Sequence, residues 1–152
     1  GTFTLKIGSV APGGVLPAAY TCTGAFESPP VSWENVPAGT KTLTLIMDDP
    51  DAPAGPYTHW IVYNIPPERK SIPGALSAVK EIDGGGQQGT SSAGGRGYAA
   101  ACPPIGPAHR YVFTLYAVDY AMGLPTADRD AIDTMLNGHW IEKAVFTTTF
   151  GR

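Results

Sequence analysis

A chain of 152 residues with ten Lys and Arg against thirteen Asp and Glu carries a formal charge of -3 and a pI near 5.5, and is the size of one domain. It has no basic run to track a phosphate backbone, so nucleic acid is excluded as an expected partner. Its apolar segments are short and broken by Gly, Pro or Thr, and none approaches the roughly 20 residues of a membrane-spanning helix.

Nineteen glycines and fifteen prolines cut the sequence into short pieces, which points to a mainly β domain. "GTFTLKI" at the start and "VSWENV" at 31–36 are polar on alternate positions, which suits edge strands or a second sheet. "TLTLIMDD" at 42–49 and "HWIVYNI" at 59–65 are apolar on both faces, as is "RYVFTLYAVD" at 110–119. That is the pattern of strands covered on both sides, and these three are expected at the centre of the sheet. Between Asp83 and Gly97, "DGGGQQGTSSAGGRG" reads either as a loose linker or as a long functional loop. "TADRDAIDTMLNGHWIEKA" at 126–144 is the one helical stretch, with Thr126 or Asp128 as N-cap and a break at Asn137-Gly138 that predicts two short helices. "AVFTTTF" at 144–150 is likewise polar on alternate positions and suits an edge strand or a second sheet. Together the segments fit a two-sheet sandwich in a single domain, 1–152.

Cys22 and Cys102 lie far apart with no CxxC or Cys/His cluster beside either, so a structural zinc site is not expected. They form either a disulfide or two reduced thiols, the commoner state of an intracellular pair. No charged and then apolar leader follows Gly1, and a cytoplasmic location is expected ahead of a periplasmic or secreted one.

The chemistry concentrates in "DDPDAPAGPYTHW", residues 48–60. Asp48 and Asp49 end a strand on opposite faces. Pro50 and Pro53 stiffen the loop that follows, where Asp49 and Asp51 can either present carboxylates to a pocket or accept backbone N–H groups in a tight turn. His59 opens a buried strand at the mouth of the sheet. "GPAHRY" places His109 at the start of another central strand, where period-two alternation puts His109 and Tyr111 on one face and Arg110 on the other. If these strands are neighbours, two imidazoles, a carboxylate and a phenol converge at one sheet edge. His139, after the Asn-Gly break, reads as structural.

Such a cluster suits recognition of a small anion, with Asp49 fixing a histidine's tautomer. No metal is expected, because no HExxH or comparable spacing is present, and no cofactor is implied. Hydrolysis or lysis by a His/Asp pair is the enzymatic alternative, with Cys102, Ser91 or Ser92 as nucleophile candidates but no GxSxG elbow. A third class is inhibition of a protein partner through the 83–97 loop.

"DDPDAP" followed by "HWIVYNIP" and then "CPPIGPAHRYVFTLYAVD" resembles the phosphatidylethanolamine-binding protein family, also known as Raf kinase inhibitor-like proteins, in its bacterial and archaeal branch. The likeness runs through "LPAAYTCTG", "SPPVSWENVPAGTKTLTLIMDDPDAP" and "NGHWIEKAVFTTTF". It implies a large central antiparallel sheet packed against a smaller one, with short C-terminal helices. It also implies a non-enzymatic pocket at the sheet edge for phosphate-like anions and phospholipid head groups. By motif the pocket would use Asp49, Asp51, His59, His109 and Tyr111, with Pro103, Pro104 and Gly106 as rim and Tyr57 as a neighbouring aromatic. The partner so implied is a phosphorylated head group, and the bacterial branch adds a second copy of the chain as a homodimer. The family's eukaryotic role in kinase signalling is not carried over, and modulation of a kinase or protease is the expectation for the binding module itself. The chain departs from the branch at "YAAACPP", residues 98–104, where "YGGPCPP" is common, and at the turn "IGPAHR".

Overall fold

A computed structural model describes residues 1–152. β-Branched and aromatic runs form eight strands: β1 Thr4–Ile7, β2 Val31–Glu34, β3 Thr42–Asp49, β4 Tyr57–Ile65, β5 Ser71–Ile72, β6 Gln87–Gln88, β7 His109–Val118 and β8 Trp140–Phe150. One helix, α1, spans Arg129–Leu136, and a single 3-10 turn covers Ala18–Tyr20. A five-stranded antiparallel sheet runs β6-β4-β3-β7-β8, and a three-stranded one runs β1-β2-β5.

The large sheet is buried on both faces because alternate residues serve two cores. Leu43, Leu45 and Met47 of β3, with Tyr111, Phe113 and Leu115 of β7, pack against Leu5, Ile7 and Trp33 of the small sheet. On the opposite face Ile46, Ile61 and Tyr63 meet Met122, Ala127, Ile132 and Leu136 from α1 and the segment before it. This is why the three central strands read as apolar throughout.

The helical expectation holds for the first half of its segment only. Asp128 caps α1, its carboxylate accepting the Ala131 N–H at 2.9 Å. Gly138, at φ 79°, then turns the chain, and Trp140–Ala144 belong to β8 in place of the second helix. Ten residue pairs tie β8 to β7, from His109↔Phe150 to Val118↔Trp140, and this long-range ladder overrides the local helix propensity of "WIEKA".

The glycine-rich 83–97 segment is not a loose linker. Gln88 of β6 accepts the Trp60 indole N–H and donates to the carbonyls of Ser77 and Val79. The N–H of Gly89 bonds Ile61 and that of Thr90 bonds Ala127. A Cβ at Gly89 would lie 2.4 Å from the Ala127 carbonyl oxygen, so only glycine permits this approach of loop to helix entry.

The two cysteines are joined. Cys22 and Cys102 form a disulfide with Cα atoms 5.3 Å apart across a sequence separation of 80. Reduced thiols, the commoner state of an intracellular pair, are therefore not what the fold holds; the proximity comes from the parallel bridge Thr21↔Ala101, which brings the two segments side by side.

Candidate functional site

The three central strands bring their motif ends to one edge of the large sheet. Asp49 closes β3 on the face toward the small sheet, and His109 and Tyr111 open β7 on the same face. His59 reaches that face by an irregularity. Met47 pairs with Trp60 and Asp48 with Thr58, so His59 is an extra residue on β4, a β-bulge, and strict alternation is broken there. Without the bulge its ring would follow Ile61 and Tyr63 toward α1. With it, the ring centroid lies 5.4 Å from that of Tyr111, edge to face, and 4.8 Å from that of Tyr57.

Both imidazoles are oriented through Nδ1. His59, only 6% exposed, donates from Nδ1 to the Ala99 carbonyl at 2.6 Å, and the Ala99 N–H returns a bond to the His59 carbonyl. His109 donates from Nδ1 to Asp49 Oδ2 at 2.7 Å. Asp49, 4% exposed, also accepts the Asp51 N–H on Oδ1 at 2.8 Å, so one carboxylate fixes both the proline turn and the ring. Because a carbonyl or carboxylate only accepts, the proton sits on Nδ1 of each neutral ring and Nε2 carries the lone pair. Each ring therefore presents an acceptor when neutral and a donor when protonated. Burial pushes the His59 imidazolium below its usual range, with the Ala99 bond and the charge of Asp49 opposing that effect.

Tyr111 is wholly buried, and its hydroxyl makes no hydrogen bond of normal geometry, although the Asp49 carboxylate is an acceptor close enough to act on it. Burial also raises its phenol pKa, reinforced by the nearby Asp49 charge, so the group remains an O–H donor. A buried donor left without a well-placed acceptor costs free energy, and sites that hold one are sites where a ligand or an ordered water completes the bonding.

The rim is a proline-stiffened turn. Pro103 is buried, and its carbonyl accepts from Arg152 Nε at 2.7 Å. The Gly106 N–H bonds the Arg152 carbonyl, while Pro104 and Gly106 are exposed. Asp51 stands apart from the cluster: both its oxygens are taken by the backbone N–H and guanidinium of Arg110, which hold its carboxyl down at about 2. On the far face of the sheet Asp48 binds Arg129 and the Thr58 hydroxyl. His139 bonds Asp119 in the turn before β8, away from the cluster.

The nucleophile candidates are committed elsewhere. Cys102 is in the disulfide, Ser92 Oγ accepts the Thr58 N–H, and Ser91 Oγ accepts the Ala93 N–H. A separate concavity of about 730 Å³ lies on the outer face of the small sheet, lined in part by Lys6, Ser32, Glu34 and Lys70. It holds no imidazole and no unsatisfied donor, so the chemistry singles out the sheet edge instead. Two contributors carry no sequence signal: Ala99, which acts through its backbone carbonyl, and Arg152, which meets the rim only in three dimensions.

This arrangement can be compared with known proteins. A family model described as phosphatidylethanolamine-binding protein matches residues 6–151. The chain belongs to that family. A UPF0098 protein of Methanothermobacter thermautotrophicus is 41% identical over 132 residues, covering 86% of this chain and 87% of its own length. One from Aquifex aeolicus is 42% identical over 132 residues, 85% of this chain and 77% of its own. Among solved structures, the phosphatidylethanolamine-binding protein homolog CT736 of Chlamydia trachomatis superposes with a TM-score of 0.89 at 32% identity, over 99% of this chain and 97% of that one. Escherichia coli YbcL, described as a member of the mammalian family, gives 0.88 at 29% identity, over 99% and 98%. Family membership accounts for the two-sheet architecture and for the order in which the motifs appear.

Proposed function

We propose that the sheet-edge cluster binds a small oxyanion, a phosphate or the phosphorylated head group of a larger molecule, without turnover. The carrying observation is the convergence of two rings whose Nδ1 atoms are already engaged with the Tyr111 hydroxyl, a donor that makes no hydrogen bond of normal geometry and has only the Asp49 carboxylate near it. An anion supplies a well-placed acceptor. His59 and His109 can meet it in two ways, as imidazolium donors or, when neutral, as acceptors for a protonated oxyanion's own O–H. Binding to a phosphorylated residue on a protein would make the chain a modulator of a kinase or protease, and a phosphopeptide titration examines that extension.

The test is calorimetric titration with phosphate and with sulfate at about pH 8 and at about pH 5, the lower value taken because burial holds the His59 imidazolium below its usual range. Sulfate keeps its charge and has no O–H across this interval. Phosphate is expected to bind at both values and sulfate only at the lower, with His109→Ala weakening each. Equal sulfate binding at both pH values, or indifference to His109→Ala, would place the anion elsewhere.

A further inference from the structure

The Cys22–Cys102 disulfide lies directly behind the rim of the candidate site. Cys102 is exposed, Cys22 half-buried, and the bridge adjoins Pro103 of the rim. Residues 98–104 are coupled to the site at two points: Ala99 exchanges two hydrogen bonds with His59, and Pro103 is held by Arg152, which also holds Gly106. Behind them, the same stretch is tied to the 18–24 segment by the Cys22 N–H on the Ala101 carbonyl, by the Tyr98 hydroxyl on the Tyr20 carbonyl, and by the disulfide. The supporting segment is anchored by Thr21, fully buried and bridged to Ala101, and by Tyr20, which packs against the main core, but little else of it is buried. Its 3-10 turn, Ala18–Tyr20, buries no residue, and Thr23–Glu27 are exposed. A covalent bond thus joins the 18–24 segment to the stretch that orients His59, beside the Thr21 bridge and two hydrogen bonds.

We propose that this disulfide is a redox latch on the anion site, an inference that rests on the anion reading above. A thiolate of an external dithiol attacks the exposed Cys102 Sγ, breaking the S–S bond and forming a mixed disulfide, while Cys22 leaves as a thiolate and takes up a proton. The dithiol's second sulfur then attacks its own mixed-disulfide sulfur. Cys102 is released as a thiol, and the reductant becomes a cyclic disulfide. The protein gains two electrons and two protons. Without the disulfide the 98–104 segment explores arrangements in which the Ala99 carbonyl no longer holds His59, and only the ordered fraction binds. If that fraction falls to about one tenth, apparent affinity falls about tenfold.

The experiment titrates phosphate into the oxidised protein, the protein reduced with dithiothreitol and verified to hold two free thiols, and the reoxidised protein, with Cys22→Ser/Cys102→Ser in parallel. Far-UV circular dichroism monitors the fold. About tenfold weaker binding in the reduced and double-serine forms, with unchanged dichroism and recovery on reoxidation, is the expected result. Unchanged affinity in a folded reduced protein overturns the latch. So does a loss of affinity that appears only together with loss of the fold, which would make the bridge a structural staple. Failure of the oxidised protein to bind phosphate sinks the anion reading instead. The latch is then decided by the ring NMR resonances of His59: movement on reduction supports it, and no movement rejects it.

Discussion

Replacing Tyr111 by Phe separates the cost of the site from its use. The ring is fully buried and the hydroxyl is unsatisfied, so the substitution removes a polar atom without opening a cavity of any size. Relieving an unsatisfied buried donor is worth about 1–3 kcal/mol, and about 1 kcal/mol is taken here as the conservative value. At roughly 2.1 cal/mol/K per residue over 152 residues, the unfolding entropy is about 0.32 kcal/mol/K, so Tm should rise by about 3 °C without ligand. Binding should move the other way. A hydrogen bond to a charged acceptor contributes about 1.5–3 kcal/mol, and its loss should weaken phosphate by about 10- to 100-fold. The assay is differential scanning calorimetry with and without saturating phosphate. The variant should be the more stable protein alone and gain less from phosphate. If Tyr111→Phe melts lower in the absence of phosphate, or is stabilised by phosphate as much as the wild type, the hydroxyl is not the unsatisfied donor argued above.

Further outcomes can be measured. The imidazole of His59 has its pKa lowered from 6.5 by burial, so below that value the unfolded chain takes up a proton that the folded one resists. Stability should therefore fall as pH drops through 6.5 toward the folded pKa, and saturating phosphate should reduce the fall; urea midpoints across the range report both. Asp49→Asn removes the charge that orients His109 while keeping an acceptor for the Asp51 N–H, and should weaken phosphate by about tenfold with little change in unliganded Tm. Losing the disulfide, which spans a sequence separation of 80, should cost roughly 4–5 kcal/mol in the chain-entropy picture, read as a lower denaturant midpoint in Cys22→Ser/Cys102→Ser. Asp128→Ala should cost about 1 kcal/mol through loss of the α1 cap, with phosphate affinity unchanged.

The central strands were legible because burial on both faces writes itself as uninterrupted apolar sequence, and Asp49, His109 and Tyr111 follow from alternation along two of them. His59 does not, because a one-residue bulge decides its face, and nothing in "YTHWIV" announces a bulge. "WIEKA" reads as helix because its local pattern is helical, while the strand residues it pairs with, Leu115 to Val118, lie outside the reach of any local pattern. The cysteine pairing depends on a bridge between Thr21 and Ala101, and Asp51 is captured by Arg110 only because the loop folds back on β7. Ala99 contributes a carbonyl, which every residue has.

The proposed anion site lies beside the three acids of "DDPD", but these do not act together. Asp48 is neutralised across the sheet by Arg129, and Asp51 at the edge by Arg110. Each of those pairs presents an approaching anion with a short dipole, whose field decays faster with distance than that of a free charge. The third acid, Asp49, has its negative oxygens turned into a backbone N–H and the His109 ring. The loop is therefore acidic in composition but more nearly charge-balanced in space, with Asp49 the one acid of the three that no guanidinium holds.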